Sequence, residues 1–206
     1  MRQKLAKSEI TKEKILAAAE SEFSEKGFFG ARIDAISETA GINKRMIYEH
    51  FGSKEGLYKQ ALLSSYRKLA ECEREFLIDN LEPAVAIKNI IFALFRFFEQ
   101  TPSFVRMLMW ENLNNAQSLS DREVRALKQP TIDYIVAQIR RGKEQGIFKE
   151  NIDEYHTVVS VMNFGFSYFT NIHTLSIILD KDMSAPSEIV GRAEFVSDLI
   201  LGHLLK

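Results

Sequence analysis

Cysteine is nearly absent: Cys72 stands alone, so the chain forms no internal disulfide, and a reducing, cytoplasmic setting is expected. Four prolines and ten glycines in 206 residues leave little to interrupt helices. No segment sustains the apolar–polar alternation of a half-buried strand, and no repeat or low-complexity stretch occurs. A formal net charge of −1 excludes a protein that holds nucleic acid by bulk positive charge. Catalytic signatures are missing as well. There is no glycine-rich loop ending in Lys-Ser/Thr, no Gly-x-Ser-x-Gly and no His-Glu-x-x-His, so no enzyme is expected. His50, His156, His173 and His203 are scattered, and no Glu-x-x-His pair occurs, so nothing requires a metal or a cofactor. The stretch Met1–Lys14 is charged and polar, unlike a signal peptide.

What is present is concentrated in residues 33–54. Ile33, Ile36, Ala40, Ile42 and Ile47 give two short helices one apolar face each. Gly41 sits where the first helix must stop, in a position suited to a left-handed cap, and Asn43 suits the N-cap of the second. Ser37 is small enough for a close helix crossing. Lys44, Arg45 and Met46 occupy the first turn of the second helix and do not fit its buried face. In a helix-turn-helix this is the part that meets base edges. Tyr48, His50 and Lys54 follow and can donate to phosphates.

Residues 11–60 resemble the DNA-binding domain of TetR-type (TetR/AcrR) transcriptional regulators. The resemblance rests on Ile15, Ala18 and Phe23, on Gly27-Phe28, and on Ile36, Ala40-Gly41-Ile42 and Ile47. Its most specific part is the run Tyr48-x-x-Phe51-x-Ser53-Lys54-Glu55. Two departures stand out. Where the family usually has a capping threonine before its second helix, this chain has Ala31-Arg32, and Arg32 could reach the DNA backbone or minor groove instead. Where the family often has a small pair such as Gly-Thr, this chain has Arg45-Met46. The DNA-binding residues implied are Arg32, Asn43, Lys44, Arg45, Met46, Tyr48, His50 and Lys54.

Charge is distributed to suit this reading. Residues 1–60 hold 11 Lys/Arg and 9 Asp/Glu, a net of +2, and the remaining 16 basic and 19 acidic residues give −3. The expected fold is all-α: a three-helix helix-turn-helix domain over 1–55, then a larger helical ligand-binding and dimerisation domain over 56–206. Residues 1–9 read as a loose basic arm. Ser8 or Thr11 opens a helix that Gly27 ends, and Ser53 caps a long helix to about Asn80. Pro83 and Pro102 start further helices. Ser120-Asp121-Arg122-Glu123 is a capping box, and its helix should kink or break at Pro130 before Gly146 ends it.

Residues 157–179 carry no Asp, Glu, Lys or Arg, which raises the possibility of a membrane span. Ser160, Asn163, Ser167, Thr170 and Thr174 form a polar stripe that lipid would reject, so a helix between protein surfaces is expected instead. With the last helix, about Pro186 to Leu205, it offers more apolar surface than one small core needs. A homodimer through these two helices follows as an expectation. A dimer would place its recognition helices about 34 Å apart, one turn of a palindromic double-stranded operator. The resemblance further implies a small-molecule effector that releases a repressor. Phe104, Met107, Trp110, Glu111, Asn163, Phe166 and His173 are the candidate effector residues, combining apolar surface with a few polar groups. The alternative is a helical protein-interaction module without specific DNA binding.

Overall fold

The computed structural model describes residues 2–119 and 121–206, with side chains over 8–119 and 122–206. Among the described residues it is all-α, and nine helices follow one another: α1 (Arg2–Gly30), α2 (Ile33–Ala40), α3 (Lys44–Phe51), α4 (Lys54–Arg74), α5 (Pro83–Gln100), α6 (Pro102–Leu113), α7 (Asp121–Glu144), α8 (Glu154–Leu179) and α9 (Pro186–Leu204). They form two compact units. The first comprises Met1–Lys68 with Ser103–Val124, the second Leu69–Pro102 with Arg125–Lys206. The boundary between these units falls inside α4, and Ser103–Leu113 of α6 lies in the first unit.

The first unit is built on one apolar core. Ile15, Ala19 and Phe23 of α1 meet Ile36 of α2, Ile47 of α3, Leu57, Tyr58 and Leu62 of α4, and Met107 of α6. The Phe23 and Tyr58 rings pack edge to face at 4.9 Å. The arm expected to be loose is helical from Arg2, because nothing in the sequence breaks a helix before Gly27. Gly27 does break it, with φ 66° and ψ 178°, a conformation open essentially only to glycine. A Cβ there would lie 2.8 Å from the Trp110 ring. Gly27→Ala should therefore lower stability by about 2–4 kcal/mol. Gly41→Ala, equally left-handed but with nothing within 4 Å, should cost about 1 kcal/mol. Paired thermal melts check the contrast.

In the second unit α5 packs against both α8 and α9. Its buried stripe includes Ala86, Ile87, Ile90, Ile91, Leu94 and Phe98. Gly165 lets α8 approach within 3.3 Å of the Phe98 ring, measured from where a Cβ would stand. As expected, Pro83, Pro102 and Pro186 open their helices. Two other expectations shift. α4 ends at Arg74 rather than near Asn80, closed by tight bonds from Phe76 N to the Glu73 carbonyl and from Leu77 N to the Arg74 carbonyl. The Tyr134 hydroxyl then donates to the Ile78 carbonyl at 2.7 Å, fixing the connection. α7 runs unbroken through Pro130. Lys128 and Thr131, on either side, both donate to the buried Glu73 carboxylate, and this anchoring outweighs the one backbone bond that proline removes. Of the expected capping box, Ser120 lies outside the described residues.

α8 buries Val158, Val161, Tyr168 and Ile172 but leaves Tyr155, Val159, Ile177 and Ile178 exposed. Its small polar residues bond back to their own helix, as Ser160 does to the His156 carbonyl at 3.0 Å. Among the described residues no helix is long and apolar enough to cross a membrane.

Candidate nucleic-acid interface

α2 and α3 are short, and each is tied down at both ends. α2 starts at Arg32, whose side chain makes no cap. The Arg32 N–H instead donates to Glu22 of α1 at 3.0 Å. That carboxylate, also bonded by Lys26 at 2.9 Å, sits where the helix macrodipole favours negative charge. Burial pushes the Glu22 pKa up, but the bonds from Lys26 and Arg32 prevail and hold it below the usual value. Gly41 closes α2 at φ 64°, ψ 35°, with its N–H on the Glu38 carbonyl. The Ser37 hydroxyl reaches across the turn to the Ile42 carbonyl. Asn43 caps α3 by accepting the Arg45 N–H at 2.8 Å.

Ile47 and Phe51 are buried beneath α3. Lys44, Arg45, Met46 and Tyr48 of the same helix are exposed, together with Arg32 and Asn43 just before the helices they introduce. These six sequence-predicted residues therefore share a solvent-facing stretch of one rigid motif. His50 is half-buried, with its ring 6.1 Å from that of Phe51. Lys54 starts α4 with its ammonium 5.0 Å from the Phe28 ring centre. Ser53 caps α4, its hydroxyl accepting the Gly56 N–H at 3.1 Å.

Sequence reasoning missed two carboxylates. Lys44 Nζ lies 2.7 Å from Asp34 of α2, and Arg45 Nε lies 2.8 Å from Glu49. The second pair has a local signal, the (i, i+4) spacing of opposite charges on a helix. The first spans ten residues and the turn, so only the folded motif reveals it.

The sequence model described as "Bacterial regulatory proteins, tetR family" matches residues 15–61, and that described as "Tetracyclin repressor-like, C-terminal domain" matches residues 83–200. The chain belongs to the TetR family. It is similar to the HTH-type transcriptional repressor NicS of Pseudomonas putida, 32% identical over 195 residues, 94% of this chain and 92% of NicS. Among solved structures it resembles the TetR family transcriptional regulator PfmR of Thermus thermophilus at 28% identity and a TM-score of 0.64, covering 93% of this chain and 99% of PfmR. The fatty acid degradation regulator FadR of Bacillus halodurans, 16% identical, shares the fold with a TM-score of 0.71 over 92% of this chain and 94% of FadR. This TetR-family chain is thus a helix-turn-helix, DNA-binding transcriptional regulator, of a family whose members act on operators as dimers.

The seven candidate effector residues fall in both units. Phe104, Met107, Trp110 and Glu111 lie on α6 in the first. Phe104 packs edge to face on Tyr66 at 5.2 Å, and Met107 is fully buried. Trp110 fills the space above Gly27 and donates its indole N–H to the Ser24 carbonyl at 3.3 Å. Glu111 is fully buried, and its Oε1 accepts the Ser118 N–H at 2.6 Å. The Glu111 carboxylate and the buried Tyr58 hydroxyl lie close enough to interact directly, though neither Oε2 nor that hydroxyl forms a hydrogen bond of regular geometry. Burial first, then the Glu111 carboxylate, raises the pKa of Tyr58 and pushes that of Tyr66 up to about 12. Ser118 also lines an open cleft of about 430 Å³ with Phe28, Phe29, Lys59 and Asn114. Asn163, Phe166 and His173 lie on α8 in the second unit, where Asn163 and His173 are exposed and Phe166 packs on Phe98 at 6.1 Å. Among the described residues no three His, Cys, Asp or Glu side chains gather as a metal site.

Proposed function

We propose that this regulator is a repressor that binds a palindromic operator as a homodimer through α8 and α9 and releases it when a small molecule binds. The observation that carries the DNA half of this reading is the exposed first half of α3. Lys44, Arg45, Met46 and Tyr48 face solvent together, on a helix fixed by the Asn43 cap and by Ile47 and Phe51 beneath. Rigid placement of base-reading side chains is what direct readout needs. Arg32 and Lys54 on either side of the helix and His50 in its last turn serve as backbone contacts. Repression is supported by the name of NicS.

The effector half rests on α6. Glu111 presents a buried carboxylate beside the buried Tyr58 hydroxyl, and neither its Oε2 nor that hydroxyl forms a hydrogen bond of regular geometry. Such groups are rare in folded proteins and are normally satisfied by water, an ion or a ligand. An amine-bearing effector matches a carboxylate among aromatic rings. Phe104, Met107 and Trp110 belong to this first-unit site, and Asn163, Phe166 and His173 are effector candidates on α8 within the second unit. A ligand shifts the regulator only by its difference in affinity between the DNA-competent and incompetent forms.

The test is fluorescence anisotropy with labelled DNA from beside the protein's own gene and a scrambled duplex of equal length. Selective binding is expected, and Arg45→Ala or Tyr48→Ala should weaken it by about 1–3 kcal/mol per half-site. Equal affinity for both duplexes across a salt series would refute the proposed readout. Trp110 is the only tryptophan and touches α1. A compound that lowers anisotropy should therefore also change tryptophan emission. Release of DNA with unaltered emission would move the effector site away from α6.

A further inference from the structure

We propose that Asp34 limits the strength of DNA binding at this interface: by holding Lys44 in an ion pair, it makes every phosphate contact of that lysine cost the pair. The inference rests on the reading of α3 as the base-reading helix.

The geometry is direct. Asp34 stands in the first turn of α2 and Lys44 at the start of α3, and their charged atoms meet at 2.7 Å across the turn. The pair therefore exists only in the folded motif. The hydrogen bond between them is the main reason that the Asp34 pKa lies below, and the Lys44 pKa above, its ordinary value. Yet the side chains remain 62% and 45% exposed. Ion pairs so open to water add little to stability. The motif is already fixed by buried Ile33, Ile36, Ile47 and Phe51, and the favourable placement of Asp34 at the positive end of the α2 dipole does not need Lys44.

Its placement makes sense against DNA. Residues 33–54 carry Asp34, Glu38 and Glu49 against Lys44, Arg45 and Lys54, so the motif as a whole is neutral. A phosphate that approaches Lys44 must displace the Asp34 carboxylate or share the ammonium with it, and it meets that negative charge in either case. Random DNA gains one phosphate contact and loses one ion pair. A cognate site makes the same exchange but adds hydrogen bonds to base edges. An acid here therefore weakens both complexes by about the same factor, holding overall DNA affinity and its salt dependence down without altering the preference between sites. Glu49 differs, because its partner Arg45 lies on the same helix and the pair moves as α3 moves.

The test uses the full chain on two labelled duplexes: one of random sequence, and one enriched by the wild-type protein from a random library. Asp34→Asn should tighten binding to the random duplex by about 2- to 10-fold. It should also steepen the salt dependence by about one ion per protomer and tighten the enriched duplex by the same factor, leaving the ratio between the two duplexes unchanged. In a Lys44→Gln background the same substitution should leave all three unchanged. Asp34→Ser is measured in parallel, since serine also suits the first turn of a helix and keeps the test intact if the asparagine variant fails to fold. No tightening on random DNA, or equal tightening without Lys44, would overturn the role of Asp34 while leaving selective binding by the wild type in place. Failure of the wild type to enrich any sequence would overturn the reading of α3 as well.

Discussion

Glu73→Gln should destabilise the protein by about 3–5 kcal/mol, the usual cost of breaking a buried ion pair from one side. Glu73 and Lys128 side chains are 1% and 7% exposed, and the Thr131 hydroxyl donates to the second carboxylate oxygen at 2.7 Å. Glutamine keeps the shape and some of the hydrogen bonding but leaves the Lys128 ammonium without its counter-charge. At roughly 2–4 °C per kcal/mol for a chain of this size, the melting temperature should fall by about 6–20 °C. The deficit should also depend on pH. Burial pulls the Lys128 pKa down, and the Glu73 carboxylate is the influence that opposes it. Without that carboxylate the folded state holds the lysine proton still less tightly than the unfolded chain does. Stability then rises with pH, so the deficit should shrink as pH approaches the ordinary lysine value. Replacing Glu73 and Lys128 by leucine and Thr131 by valine removes both charges together and should return stability to within about 2 kcal/mol of the wild type. Circular dichroism melts at several pH values measure each step. A single-variant loss below about 1 kcal/mol would show that water reaches the pair.

This network also marks where the sequence stopped being informative. Features set by nearest neighbours along the chain were legible: glycine at the left-handed cap of α2, asparagine accepting the Arg45 N–H, prolines opening α5, α6 and α9, and the apolar spacing that buries Ile36 and Ile47. Each depends on a φ value, a cap or a helical period confined to a few residues. Pairings that close only in three dimensions were not. Glu73 and Lys128 are 55 residues apart, and their contact keeps α7 helical through Pro130 against the local expectation. α6 shows the same limit from the other side. Its apolar residues announce a buried face but not what covers it. Only the folded first unit, with Met107 in its core, Trp110 above Gly27 and Ser103 donating to Glu20 at 2.6 Å, assigns it there. In the candidate interface the donors were legible because exposed cations at the start of α3 break its apolar pattern. Asp34 was not, because a charged residue in the first turn of a short helix looks the same whether it meets water or lysine.

Phe195→Asp together with Leu199→Asp should give a folded monomer with about 10²- to 10⁴-fold weaker operator binding, the largest functional effect expected of any substitution considered. Phe195 is 57% exposed and Leu199 48%, one turn apart on α9, and Val159 of α8 is 52% exposed. Leu199 also lines an indentation of about 370 Å³ with Phe164 and His203, a shape that a side chain from a second copy would fill. Large apolar groups left open in a cluster are what a partner surface removes from water. Because they are exposed in the single chain, aspartate there adds no buried charge, and helix content should not change. What changes is association. A two-fold dimer places every contact twice, so each substitution puts two charges into one interface. A monomer carries one recognition helix, and its binding loses the effective concentration that the first half-site confers on the second. Sedimentation at micromolar concentration and anisotropy on the enriched duplex should therefore move together: dimer to monomer, and tight to weak. The salt slope should also fall by about half, because half the phosphates are contacted. A variant that stays dimeric would place the interface elsewhere, and a monomer that binds the duplex as tightly as the wild type would show that two-fold reading is not how this regulator gains its affinity.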